Sequence, residues 1–307
     1  MKPKKIFNSK KIKPSNPSLW SRMKKDRWAY AFISPFYILF AIFGLYPMAL
    51  SIYLSFTRWK GVGPMEFAGL VNFELIPKDK LFWQSMINGV IILLINVPPM
   101  LFLALVLAVI LNSGRVRGFR FFRTLIFLPF ITNMVAAGYA FRILLEKQNG
   151  LFNVVIRSIG LPGVPWLESV WGARISLNLL IIWAWVGYNM VIMLAGLQTI
   201  PKDLNEAAMV DGATPIQAFF RITIPLMRPV ILFTAITSTI GSFGLFTEVS
   251  ILTNGGPVNA TITPLIRIYN SAFGSYQYGL ASAEAYTFFL FIFILTVIQF
   301  RLNREQI

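Results

Sequence analysis

The sequence contains no cysteine and no histidine. Without thiols there is neither a disulfide nor a thiolate nucleophile. Without imidazole, the side chain most used for proton transfer near neutral pH and for holding zinc is missing. Charge is scarce as well: 13% of the 307 residues are Asp, Glu, Lys or Arg, against about a quarter in a soluble domain. That leaves too little polar surface to cover a water-soluble globule. Acidic residues are the rarer sign, 12 against 28 basic ones, for a net charge of +16. No G-x-x-x-x-G-K-[ST] run is present, so the chain has no loop to cradle a nucleotide phosphate. It also shows no internal repeat and no low-complexity stretch. No cofactor and no metal site is expected.

What is present is apolar and comes in long blocks. Residues 28–57 carry no charge, and neither do 81–114, 175–201 and 229–247. A run of about 18 or more apolar residues reads as a helix crossing a bilayer. The expected fold class is therefore all-α, a polytopic membrane protein. Six transmembrane helices are expected, at about 29–56, 84–112, 122–143, 174–199, 229–251 and 280–301. Pro98 and Pro99 are expected to kink the second, which membrane helices tolerate when neighbours satisfy the freed carbonyls. Residues 1–28 are expected to form a basic cytoplasmic tail, and 29–303 a single transmembrane domain. The first apolar block far exceeds the h-region of a secretory leader and ends in no small-residue cleavage site, so it is expected to remain as the first span.

The basic excess fits either a nucleic-acid partner or a membrane topology in which Lys and Arg collect on the cytoplasmic side. Their distribution separates the two. Nineteen fall on the N-terminal tail, 113–123, 200–228 and the C-terminal tail. Nine fall on or beside 57–82, 144–173 and 252–279. The richer set is expected inside, with both termini cytoplasmic. Membrane lipid then becomes the expected partner and nucleic acid does not. Trp166 and Trp171 are expected to anchor an outer loop at the interface.

The segment 200–228 differs from the other connections: it is too polar to enter the bilayer yet patterned like structure. Asp203 can cap a helix start, with Glu206 at capping-box spacing. Leu204, Ala207, Ala208 and Met209 continue that helix, and Gly212 suits a left-handed stop. Thr214 and Pro215 restart a second short helix, which Pro225 is expected to end before Pro229 leads into the fifth span. This predicts a rigid helix–turn–helix on the cytoplasmic face.

Those residues carry a family resemblance. Glu206-Ala207-Ala208, Gly212, Ile222 and Ile224-Pro225 match the pattern E-A-A-x3-G-x9-I-x-L-P of the permeases of binding-protein-dependent ABC importers, with Ile for Leu before the proline. D-G-A at 211–213 resembles the sugar-importing branch. L-T-N-G-G-P at 252–257, S-P-F-Y-I-L-F at 34–40, L-Y-P at 45–47, S-F-T at 55–57 and Y-G-L-A-S-A at 278–283 resemble its maltose-type first permease. The likeness covers nearly the whole chain after residue 28.

The resemblance implies the type I ABC importer permease fold in a bacterial inner membrane. It implies a non-catalytic chain that forms half of a sugar path. The implied partners are a second permease, two ATPase subunits that hydrolyse ATP, and an extracytoplasmic sugar-binding protein. Glu206, Ala207, Ala208, Asp211 and Gly212 would couple to the ATPase; by spacing alone, Glu206 is equally a helix N-terminal acid. Gly187 and Tyr188 on the fourth helix and Thr239, Phe243 and Phe246 on the fifth occupy the family's substrate-path positions, although Phe243 and Phe246 stand where the maltose-type protein has amides. Helix packing accounts for each of these as well. Glu248 reads either as functional or as an interfacial residue reaching water, and Gly255-Gly256-Pro257 as a turn before a binding-protein contact. Solutes such as glycerol phosphate remain open. A secondary transporter would need paired ionisable groups at mid-membrane, and the helices offer almost none.

Overall fold

The computed structural model describes residues 27–114 and 116–304. The basic tail expected over 1–28 lies outside the described residues through position 26, as does Arg115 of the 113–123 loop. Helix α1 covers Arg27–Ser55, with a π-turn at Ala41–Leu45. From Ile52 onward the chain forms one compact unit. Its first feature is a two-residue antiparallel ribbon, β1 (Thr57–Arg58) with β2 (Glu66–Phe67), pairing Thr57 with Phe67 and Arg58 with Glu66. Behind it the short helix α2 (Val71–Leu75) carries Asn72. The buried amide of Asn72 donates to the Ser55 carbonyl at 2.9 Å and the Thr57 carbonyl at 2.8 Å.

Helix α3 runs from Lys80 to Asn112. Asp79 caps it by accepting from the N–H groups of Leu81 and Phe82. Four residues that the expected start at 84 omitted are thus helical. The helix continues unbroken through Pro98 and Pro99. The expected third span departs from expectation more sharply. It is two helices, α4 (Phe119–Ile131) and α5 (Met134–Leu144), meeting at 95°. Asn133 explains the break: its side chain accepts from Val135 N–H at 2.9 Å and Ala136 N–H at 3.3 Å, starting a new helix where the old one would have continued.

The outer connection holds α6 (Leu151–Ser158). Asn153 on it is fully buried, donating to the carbonyls of Lys147 and Val164 and accepting from Val164 N–H and Trp166 Nε1. Trp166 is therefore tied into a folded loop. Helix α7 (Val170–Gln198) is capped by Ser169. After α8 (Lys202–Val210) comes α9 (Pro215–Phe243), then the short α10 (Thr247–Leu252), α11 (Pro264–Tyr269) and α12 (Tyr278–Arg304). The expected fifth span of 229–251 is thus interrupted at Gly244–Phe246. Among the described residues, five helices are long and apolar enough to cross a membrane, and six spans result if the bent α4–α5 pair counts as one.

Helix α7 lies along α3, with α4 and α9 against it, and α9 also packs on α12. Lipid tails are as apolar as Leu, so close packing rather than water exclusion holds such helices together. Small residues make that possible. A Cβ on Gly187 would sit 2.0 Å from the Ile126 carbonyl oxygen, and one on Gly89 would sit 2.6 Å from the Phe243 ring. Arg267 of α11 binds both Asp79 at the start of α3 and Glu284 of α12, the latter at 3.1 Å. Glu284 is fully buried, so this charge within a span is matched by a specific cation.

Candidate functional site

Two features have the character of a site: the exposed element at 201–223, and a cavity between the middle helices.

In the first, α8 begins after Pro201, not at Asp203, and no side chain caps it. Asp203 lies inside its first turn, where the acid favours the positive helix end. The capping box sits instead at the second helix: Thr214 Oγ1 accepts from Gln217 N–H, and Gln217 Oε1 accepts from Thr214 N–H at 2.9 Å. Gly212, at φ +88°, closes α8. Gly212 N–H donates to the Met209 carbonyl at 3.1 Å, and Ala213 N–H donates to the Ala208 carbonyl at 2.9 Å. These are the paired bonds of a Schellman stop. Pro225 does not end the second helix. A π-turn at Phe219–Thr223 precedes it, and past that wider turn the helix continues through Pro225 and Pro229 to Phe243. The second helix of the hairpin is therefore the start of α9 itself, and the capped foot runs into that span without a break.

Glu206, Ala207, Asp211 and Gly212 are exposed on that foot, and Ala208 is half-buried. Around them stand Leu204, Met209, Val210, Ile216 and Phe220, all exposed, Val210 to 88% and Ile216 to 71%. A cluster of apolar side chains beside carboxylates, on α8 and the first turns of α9, has the make-up of a protein-docking surface. Sequence reading placed Leu204 and Met209 on the first short helix and Ile216 and Phe220 on the second; Val210 went unnamed, and the folded hairpin brings the five together.

The second feature is a cavity of about 450 Å³ between α3, α7, α9 and α10, a volume within the ~300–1,000 Å³ common for ligand sites. Its wall is part aromatic and part polar. Trp185 and Tyr188 form an aromatic group with Phe130, whose ring stacks on Tyr188 at 4.8 Å between centroids and meets Trp185 edge-on at 5.2 Å. The polar members are Asn96, Asn189, Thr237, Ser238, Ser242 and Glu248. Ser238 Oγ donates to Asn189 Oδ1 at 3.3 Å.

Of the five residues expected along the path, Tyr188 lines this cavity. The other four are placed elsewhere. Gly187 is pressed against the Ile126 carbonyl. Thr239 is buried and accepts from Gln299 Nε2 at 2.9 Å. Phe243 is fully buried against Phe288 and Phe291. Phe246 packs edge-on against Tyr269 at 5.0 Å. The reason is helical phase: on α9 the cavity face carries Thr237, Ser238, Ile240 and Gly241, and Thr239 and Phe243 point the other way, toward α12. Glu248 does not reach out at an interface; it is 8% exposed and faces the cavity. Sequence reading missed Asn96 and Asn189, although an Asn in the middle of an apolar run was an available signal.

Residues 78–306 match the family described as the binding-protein-dependent transport system inner membrane component. The lactose transport system permease protein LacF of Rhizobium radiobacter is 38% identical over 284 residues, covering 90% of this chain and 94% of that protein. The arabinooligosaccharides transport system permease protein AraP of Halalkalibacterium halodurans is 32% identical over 302 residues, covering 97% and 90%. A crystal structure of a bacterial ABC transporter involved in the import of the acidic polysaccharide alginate superimposes with a TM-score of 0.79 at 23% identity, over 94% of this chain and 99% of that one. Family match, identity and fold agree: the chain belongs to the inner-membrane components of binding-protein-dependent transport systems.

Proposed function

We propose that this chain is the membrane-spanning permease subunit of an ATP-driven sugar importer. The observation that carries the reading is the continuous helix from the capped foot at 201–223, through α9, to the wall of the cavity. A force applied at the foot is delivered to residues that line a ligand-sized space. The foot docks in a groove of a separate ATPase chain, which supplies the hydrolysis that this chain has no residues to perform. A second permease completes the path, two ATPase subunits stand beneath, and an extracytoplasmic binding protein delivers the sugar. Sugars suit the cavity: aromatic faces stack on the apolar faces of the ring, and amide and hydroxyl groups pair with its hydroxyls. Permeases for lactose and for arabinooligosaccharides among the relatives support that class.

The coupling roles of Glu206, Ala207, Ala208, Asp211 and Gly212 form part of this proposal. So does the orientation. Nineteen of the 28 basic residues fall on the segments that share a side with both termini, which supports a cytoplasmic placement of both in the inner membrane. The native chain is free of cysteine, so a single Cys at position 118 can be labelled cleanly. It should react with an impermeant maleimide only after the cells are opened; labelling in intact cells refutes the orientation. For the function itself, deletion of this chain should abolish ATP-dependent uptake of the system's sugar, and uptake that persists refutes it.

A further inference from the structure

We propose that Glu248 makes the cavity a charge filter, admitting neutral or amine-bearing saccharides and turning away acidic ones. The inference rests on the sugar-import reading and adds a substrate class to it. Glu248 stands on α10, directly beyond the break that ends α9. It is 8% exposed and faces the cavity. Among the described residues no Lys or Arg forms an ion pair with it, and no Lys or Arg lines the cavity. By contrast Glu284, the other carboxylate buried to a similar degree, has Arg267 at 3.1 Å.

Backbone N–H groups at Glu248 and Phe246 donate to this carboxylate, and its remaining lone pairs still need donors. Two sugar hydroxyls on neighbouring carbons fit that need, each donating to one carboxylate oxygen. An ammonium group fits it by charge. A uronate or a phosphate ester would bring a second negative charge into a space of low dielectric, where like charges a few ångströms apart repel strongly.

Asn96 supplies an independent observation. It is wholly buried in the middle of α3 and lines the same cavity, and neither its amide nitrogen nor its amide oxygen has a hydrogen-bond partner. Buried amides are ordinarily paired. An unpaired donor and acceptor facing a ligand-sized cavity together match a hydroxyl, which both accepts and donates. Glu248 and Asn96 thus present an acceptor-rich, net negative wall suited to uncharged polyols.

The test uses the intact permease–ATPase complex in nanodiscs, without the binding protein, and equilibrium binding of radiolabelled disaccharides in neutral and acidic pairs: galactobiose with digalacturonate, and cellobiose with cellobiuronate. The wild-type complex should favour the neutral member of a pair by at least about tenfold. Glu248→Gln should bring the two members within about threefold, and Glu248→Asp, which keeps the charge, should retain the preference. Wild-type complex that binds acidic and neutral members equally overturns the filter whatever the variants do. So does a Glu248→Gln complex that keeps the wild-type preference. A wild-type complex that imports sugar in the complete system yet binds none of the probes also overturns it. Failure of the complete system to import any sugar overturns instead the reading on which the filter rests.

Discussion

Replacing Gly212 by Val isolates the turn on which the foot depends. The residue has φ +88°, and a Cβ built on it meets nothing within 4 Å. The substitution therefore produces no clash, and its cost is backbone strain alone. An L-residue in the left-handed region costs about 1–2 kcal/mol, and a β-branched one lies at the upper end or beyond because its side chain crowds its own backbone. A shift of that size moves the balance between formed and unformed turn by roughly 5–30-fold. The bonds at stake are those from Gly212 N–H to Met209 and from Ala213 N–H to Ala208. Gly212→Asn provides the control, since Asn enters the left-handed region with little penalty. The assay measures sugar uptake and the amount of ATPase that co-purifies, at matched membrane levels. We expect Gly212→Val to lose most of both and Gly212→Asn to keep them. Wild-type uptake and ATPase retention by Gly212→Val would refute the requirement for this turn.

Glu206→Lys reverses a charge exposed beside the apolar cluster of the foot; the variant should reach the membrane, release the ATPase on purification and lose uptake, and normal uptake at normal expression would contradict the docking role. Gly187→Ala places a methyl group 2.0 Å from the Ile126 carbonyl oxygen, so α4 and α7 must move apart, at about 1–3 kcal/mol; the detergent-solubilised protein should unfold at a lower temperature, and an unchanged midpoint would contradict the close approach. At Asp79 burial opposes ionisation, but the Phe82 N–H, the Arg267 guanidinium and the Leu81 N–H outweigh it and hold the carboxyl below its ordinary value of 3.8. A lowered native pKa stabilises the fold above the unfolded value, and the stabilisation is lost as pH falls through the native one. Thermal stability should therefore drop below about pH 4, and Asp79→Asn should be less stable near neutrality while losing less on acidification; parallel pH profiles for the two proteins would refute this.

The spans were legible because hydropathy reports length. The second and fourth were expected at 84–112 and 174–199 and run Lys80–Asn112 and Val170–Gln198. Hydropathy is blind to a polar cap inside an apolar run, so the Asn133 break was hidden, and so was the gap at Gly244–Phe246. The foot was legible through Gly212, where one residue type and one dihedral go together. Its cap was misplaced because Asp203/Glu206 and Thr214/Gln217 are both plausible boxes, and only the Thr214 pair closes in the fold. Pro225 looked like a stop because the π-turn that carries the helix past it leaves no mark in composition. The cavity was least legible. Thr239 and Phe243 differ from Ser238 and Ser242 by one position, about 100° around a helix, and a wholly apolar helix offers no amphipathic phase from which to orient it.

The most direct test of the account is reconstitution. This chain should be placed in proteoliposomes with its partner permease and ATPase, with binding protein and radiolabelled sugar on the side opposite the ATPase. ATP supplied on the ATPase side should drive sugar across the membrane toward that side and against its gradient. Transport should vanish when the ATPase or the binding protein is omitted, or when Gly212→Val replaces the wild-type chain. Accumulation that proceeds without ATP, driven by an ion gradient alone, would contradict the account.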